Sequence, residues 1–215
     1  MGKILSIDCL DYAYPLGGDI FNGMSLSIDA GEFVVLLGKN GAGKSTLINL
    51  ILGFRTPKAG NISVLGLDPK VDAIDLRKRM FFISHSIEYD QHSSIQFILK
   101  NIKIMYPNYS EEKEQELLKL FELNKKDYLY QLSLGQRARV QIIADIASNA
   151  ELVVIDEITA VLDPLARHEF SKELLKEKQT GRTILMATNI PGDSELDSDR
   201  VICIRDSKVV KYEAA

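Results

Sequence analysis

The 215-residue sequence predicts an α/β fold. The expected parts are a core with a mostly parallel sheet, an N-terminal antiparallel β subdomain and an inserted helical subdomain. Three observations carry that prediction. Strand and helix patterns alternate along most of the chain. Strands such as "EFVVLL" and "ELVVID" are continuous apolar runs, as expected where a parallel sheet is covered on both faces. From about residue 85 to residue 147 the pattern turns helical, with no glycine before Gly135. That stretch reads as a helical lobe inserted into a single domain covering 1–215.

The elements follow in order. "KILSIDCL" alternates apolar and polar residues and reads as a half-buried strand. "SLSID" and "EFVVLL" are the next strands, with "DAG" turning between them. A Gly-rich loop then leads into a helix from Lys44 to Leu52, ended by Gly53. "GNISVLG" gives a short strand, "VDAIDLRKR" a short helix and "MFFIS" a buried strand. Within the lobe, "SSIQFILKNIKIMY" puts Ile95, Ile98, Leu99 and Ile102 on one face. "SEEKEQELLKLFEL" begins with Ser110 as a cap and an acidic first turn. Its expected inner face is Leu117, Leu120 and Phe121. "LSLGQRARVQIIADIA" opens a long apolar helix. After the buried strand "ELVVID", Asp163 caps the next helix, Pro164 begins it, and Ala166, Phe170 and Leu174 line its inner side. "RTILMAT", "RVICIR" and "KVVKY" finish the chain as strands.

Bulk properties narrow the function. Hydrophobic residues make up 46% and charged residues 26%, an ordinary globular composition. A net charge of -4 argues against a broadly basic nucleic-acid surface. No apolar run approaches the ~18 residues of a membrane span. Cys9 and Cys203 lie far apart in apolar strand contexts and read as packed free thiols of a reducing compartment.

Three motifs carry chemistry. Gly38, Gly43, Lys44 and Ser45 in "GKNGAGKST" fit G-x-x-x-x-G-K-[ST] between an apolar strand and a helix. The glycines let backbone N–H groups approach phosphate oxygens, and the helix N-terminus adds partial positive charge. Lys44 would neutralise the β- and γ-phosphates, and Ser45 would ligate Mg²⁺. The predicted core is therefore of the P-loop NTPase type. Asp156 and Glu157 end the strand "LVVI". Ligands of open α/β sheets gather at such carboxyl ends, so Asp156 is a candidate Mg²⁺ holder and Glu157 a candidate base for an attacking water. "LSLGQ" places Ser133 and the first-turn N–H groups of a helix at a second anion site. One P-loop domain does not need two such sites, which suggests that the second serves the nucleotide of another subunit.

These residues resemble the ATPase subunits of ABC transporters over essentially the whole chain. "GKNGAGKST" resembles their Walker A loop, "LSLGQ" their signature, "ELVVIDE" their Walker B strand and "AVLDP" their D-loop. "LGFRTPKAGNISVLGLDP" and "ITAVLDPLAR" look most like exporter-type members that work on two small membrane subunits. The resemblance implies ATP and Mg²⁺ as cofactors. It implies a head-to-tail pair of subunits, two copies or a heterodimer, in which Gly38, Lys39, Asn40, Gly41, Ala42, Gly43, Lys44, Ser45 and Thr46 of one face Ser133, Gly135 and Gln136 of the other. It adds Asp163 of the D-loop to the nucleotide site and Tyr14 as the aromatic on adenine, with Tyr12 as the rival. Membrane-spanning partner subunits and a peripheral position on the cytoplasmic face of a membrane follow from the same resemblance.

The sequence departs from the family pattern in three places. His85 in "FFISHS" stands where a Gln would touch Mg²⁺ and the attacking water; imidazole can accept from water or bind a metal. Gln91 lies six residues on and would need a reshaped loop to substitute. Asn189 in "ATNI" replaces the switch His; it can donate to the γ-phosphate but carries no charge. Ile158 replaces the Pro after Glu157. A degenerate, slowly hydrolysing ATP-gated clamp is therefore an alternative, as is a non-transport ABC ATPase. A guanine-reading pattern at Asn124, Lys125 and Asp127 falls in the helical lobe and reads as a solvated helix end.

Overall fold

The computed structural model describes residues 2–15, 17–87, 89–195, 197–205 and 208–212. The elements in chain order are β1 (Lys3–Ala13), β2 (Asp19–Asp29), β3 (Phe33–Leu37), α1 (Lys44–Ile51), β4 (Ala59–Val64), α2 (Ala73–Arg77) and β5 (Met80–Ser84). The helices α3 (Ile95–Met105), α4 (Glu111–Leu120) and α5 (Leu134–Ser148) follow, then β6 (Leu152–Asp156), α6 (Pro164–Gln179), β7 (Thr183–Thr188), β8 (Arg200–Arg205) and β9 (Lys208–Tyr212).

Two sheets form. β2, β1 and β4 make an antiparallel sheet in that order. The larger sheet runs β5-β6-β7-β3-β8-β9, parallel except for β9. β1 and β2 are longer than the alternation suggested. Register shifts between Ile7 and Leu10, with Cys9 at φ 47, interrupt the period-two pattern. The same bulge turns Cys9 outward, so it is exposed rather than packed.

Alternation along β3 sorts the core into two sides. Val34 and Leu36 pack with Leu47, Ile48 and Ile51 of α1 beneath the antiparallel sheet. Phe33 and Val35 join Ile142 and Ile143 of α5 and Phe170 of α6 on the other side. Each such fully buried side chain contributes about 1.5–3 kcal/mol. α3, α4 and α5 all lie between β5 and β6 in the chain, and α5 packs on β5 as well as on α3 and α4. It therefore ties the helical stretch to the sheet.

Ile95, Ile98, Leu99 and Ile102 are buried on α3, as expected. On α4 the inner face differs from the sequence reading. Leu118 is buried with Leu117 and Phe121, whereas Leu120 is 43% exposed. The reason is Glu114, which is buried on the same face, hydrogen-bonded by Tyr109 and paired with Lys125. Asn124 accepts from the Lys126 N–H at 3.0 Å, so the guanine-like pattern is a turn held to itself.

At the amino ends of the strands, Arg182 pairs with the fully buried Asp145 and donates to the Ala150 carbonyl at 2.7 Å. Among the described residues, no helix is long and apolar enough to cross a membrane.

Candidate functional site

Strand order decides which residues meet. β7 lies between β3 and β6, so the loop after β3, the acidic pair ending β6 and the residue after β7 share one edge of the sheet. Gly41 at φ 81 and Gly43 at φ 101 bend the Gly-rich loop through left-handed backbone that L side chains seldom adopt. α3, α4, α5 and α6 each begin with a side-chain cap, from Ser94, Ser110, Ser133 and Asp163. α1 has no side-chain cap. Its first N–H groups are left for an anion.

Lys44 is 3% exposed, and its Nζ donates to the carbonyls of Gly38 at 2.8 Å and Lys39 at 3.2 Å. The same ammonium lies 3.1 Å from Glu157 Oε1. Glu157 itself is held at φ 52, a left-handed angle costing of order 1–3 kcal/mol for a residue other than glycine. Its N–H is anchored on the Ala187 carbonyl at 3.0 Å.

Asp156 is buried, and burial pushes its carboxyl above the ordinary value, against the pull of the Ser45 hydroxyl, Lys44 and His85. Its Oδ1 is a buried atom with no hydrogen-bond partner. An orphaned carboxylate oxygen beside a serine hydroxyl is a hard, all-oxygen donor set, and that fits Mg²⁺.

Asn189 Nδ2 donates to Asn40 Oδ1 at 2.7 Å, joining the end of β7 to the Gly-rich loop. Tyr14 reaches the same loop from the antiparallel sheet, its hydroxyl 2.9 Å from Thr46 Oγ1. The guanidinium of Arg55 lies 4.6 Å from the Tyr14 ring centroid. Tyr12 is buried and accepts from Arg55 at 3.1 Å, so of the two it is Tyr14 whose hydroxyl meets the first turn of α1.

His85 is exposed and lines a cavity of about 160 Å³ together with Tyr89, Gln91, Leu134, Gln141 and Val161. Gln91 therefore shares the wall of that cavity with His85 in the loop as it stands. Gln141 accepts from the Ser84 N–H at 3.1 Å and fixes the end of β5 to α5.

Ser133, Gly135 and Gln136 form a second cluster at the start of α5. Ser133 Oγ accepts from the Gln136 N–H at 3.2 Å, while Gln136 Oε1 accepts from the Ser133 N–H at 2.9 Å, a reciprocal capping box. Asp163 is tied to the same helix, α5. One of its oxygens accepts from the Ala166 N–H at 2.9 Å and the other pairs with Arg139 of α5 at 2.5 Å. The Ala166 hydrogen bond, with Arg139 beside it, holds the Asp163 carboxyl below the usual carboxylate range.

The sequence reading missed Arg55 and Asp193. Arg55 had no local signal, since its partners lie about forty residues upstream. Asp193 had none either: Thr188 stands directly before Asn189 and Thr159 two residues after Glu157, but only in the fold do both threonines end on its carboxylate.

Comparison with known proteins gives a consistent picture. The family model described as ABC transporter matches residues 21–160. The chain is 30% identical over 218 residues to the energy-coupling factor transporter ATP-binding protein EcfA1 of Fusobacterium nucleatum, covering 98% of this chain and 81% of that protein. It is 29% identical over 222 residues to the carnitine transport ATP-binding protein OpuCA of Listeria monocytogenes, covering 98% of this chain but spanning only 55% of that protein. A solved structure of an ATP binding subunit of an ABC transporter matches with a TM-score of 0.89 at 27% identity, covering 98% of this chain and 90% of that one.

Proposed function

The chain belongs to the ABC transporter family, and from that premise we propose that it is an ATP-binding, ATP-hydrolysing subunit that works as a nucleotide-closed pair beneath membrane-spanning transporter subunits. The observation that carries this reading is the contact of the buried Lys44 ammonium with Glu157, 3.1 Å apart, at the uncapped start of α1. A lysine balanced by a carboxylate and two carbonyls is ready to exchange those partners for the oxygens of a β–γ phosphate pair. Glu157, released from the ammonium, then accepts a proton from water as its oxygen attacks the γ-phosphorus. The bond from that phosphorus to the β-bridging oxygen breaks, giving ADP and phosphate.

Gly38 to Thr46 would wrap the phosphates with backbone N–H groups. Ser45 and Asp156 would hold Mg²⁺, which when bound neutralises phosphate charge. Asn189 would donate to the γ-phosphate and Tyr14 would stack on the base. The cluster of Ser133, Gly135, Gln136 and Asp163 would close on the nucleotide of the partner subunit, and the His85 cavity lies beside it. The amide of Asn189 carries no charge where the family has a His, and this favours slow turnover, so that nucleotide binding more than hydrolysis sets the closed state. Placement against the cytoplasmic side of a membrane follows from the partners proposed. The relatives' names differ in cargo, and none is carried over to this chain.

The test is steady-state phosphate release and gel filtration of the wild type and Glu157→Gln with Mg²⁺ and ATP. The variant is expected to lose roughly 10²-fold or more in turnover and to accumulate as a dimer. Equal rates in the two proteins would sink Glu157 as the base.

A further inference from the structure

We infer that Asp193 is a positioning residue that holds Glu157 and Asn189 in register, through hydrogen bonds from Thr159 and Thr188 to one carboxylate oxygen. The inference rests on the hydrolytic reading above. Asp193 Oδ2 accepts from Thr159 Oγ1 at 2.7 Å and from Thr188 Oγ1 at 2.6 Å. Thr159, Thr188 and Asp193 are 1%, 0% and 4% exposed, so water does not share these bonds.

The two threonines belong to different parts of the site. Thr159 lies in the short turn Ile158–Val161 that Glu157 opens. Thr188 is the last residue of β7 and directly precedes Asn189. The Thr188 hydroxyl also accepts from the Ile190 N–H at 3.0 Å, so Asn189 is bracketed on both sides. The Thr188 carbonyl accepts from the Gly38 N–H at 3.3 Å, which links the same strand end to the first glycine of the loop. Arg167 donates to the Thr159 carbonyl at 2.9 Å and fixes that turn from α6.

β6 and β7 are neighbours, yet the ladder between them ends at Asp156 and Ala187. Beyond it, the Glu157 N–H still reaches the Ala187 carbonyl. From there on, the Asp193 carboxylate joins the two departing segments. A buried hydrogen bond is not weakened by solvent. Glu157 sits at a strained backbone angle, and such an angle persists only where surrounding contacts hold the backbone in place. A group near 1 Å out of place can cost on the order of 10²-fold in rate.

The experiment compares wild type, Glu157→Gln, Asp193→Asn, Thr159→Val and Thr159→Ser in nucleotide affinity, melting temperature and phosphate release with Mg²⁺ and ATP. Asp193→Asn is expected to lower turnover on the order of tenfold or more, with ATP affinity within about threefold of wild type. Thr159→Val is expected to follow it in part, and Thr159→Ser, which keeps the hydroxyl, to recover wild-type turnover. A purely structural role would lower affinity and turnover together, and that result overturns the inference. So does an Asp193→Asn protein that turns over like wild type while Glu157→Gln is inactive. Equal turnover in wild type and Glu157→Gln refutes the hydrolytic reading itself, and the positioning role falls with it.

Discussion

Asn189 hydrogen-bonds Asn40 across 2.7 Å, so the residue after β7 is tied to the Gly-rich loop by a neutral amide pair. Neutral donors stabilise developing phosphate charge less than cationic ones. Asn189→His is therefore expected to raise phosphate release, by roughly tenfold. Asn189→Ala should lower it below wild type. Steady-state assays at saturating ATP decide the matter, and a His variant no faster than wild type would show that the missing charge at Asn189 does not limit turnover.

Asp156 offers a test of stability against function. Burial raises its carboxyl, so the folded chain holds that proton more tightly than the unfolded chain does. Its contribution to stability is present below the ordinary carboxylate pKa and is lost as pH rises through the raised one. Asp156→Asn should therefore melt higher than wild type at pH 7 without nucleotide. The gain should shrink towards pH 4, while Mg²⁺ no longer strengthens ATP binding. A variant that melts lower at pH 7 would contradict the assignment.

The Asp145–Arg182 pair at the far end of the strands has both side chains almost fully buried. Removing one member of a buried pair costs about 3–5 kcal/mol, and towards the lower end here, because Arg182 keeps Glu177 at 3.5 Å. Asp145→Ala should lower the urea midpoint accordingly. Its ATP affinity, measured where the protein is still folded, should match wild type, because the pair is remote from the loop. A cost below about 1 kcal/mol would show that the pair is not what braces α5 to β7.

The Tyr14 hydroxyl meets Thr46 at the start of α1, and Arg55 lies 4.6 Å from the ring centroid. Stacking on a base is worth on the order of 1–3 kcal/mol and tolerates any base. Tyr14→Ala should weaken ATP and GTP alike, by about 5- to 150-fold, and Tyr14→Phe should weaken them far less. Titration by fluorescence would measure both. Unchanged affinity in Tyr14→Ala would leave the ring a packing residue beside Thr46.

The parallel core was legible because its strands are short continuous apolar runs, and the Gly-rich loop because glycine is required where φ is positive. The convergence of Lys44 with Glu157 follows from the rule that ligands meet at carboxyl strand ends, although the contact itself needed the order β6-β7-β3. The α4 face was misread because Glu114 is inside, made tolerable by Tyr109 and Lys125, and pattern alone counts a carboxylate as outside. Cys9 was misread for a related reason: a bulge shifts every later side chain by one place. Asp193 escaped notice because its two partners lie 34 and 5 residues away, and only folding makes them one group.

The left-handed angle at Glu157 has an evolutionary consequence. Glycine, asparagine or aspartate would sit at φ 52 with less strain, so each substitution that relaxes this backbone deletes the carboxylate or shortens its reach. Selection for a firmer fold and selection for catalysis therefore pull in opposite directions at this one codon. A gene copy freed from the need to hydrolyse would be expected to gain thermal tolerance by changing this residue as it falls silent.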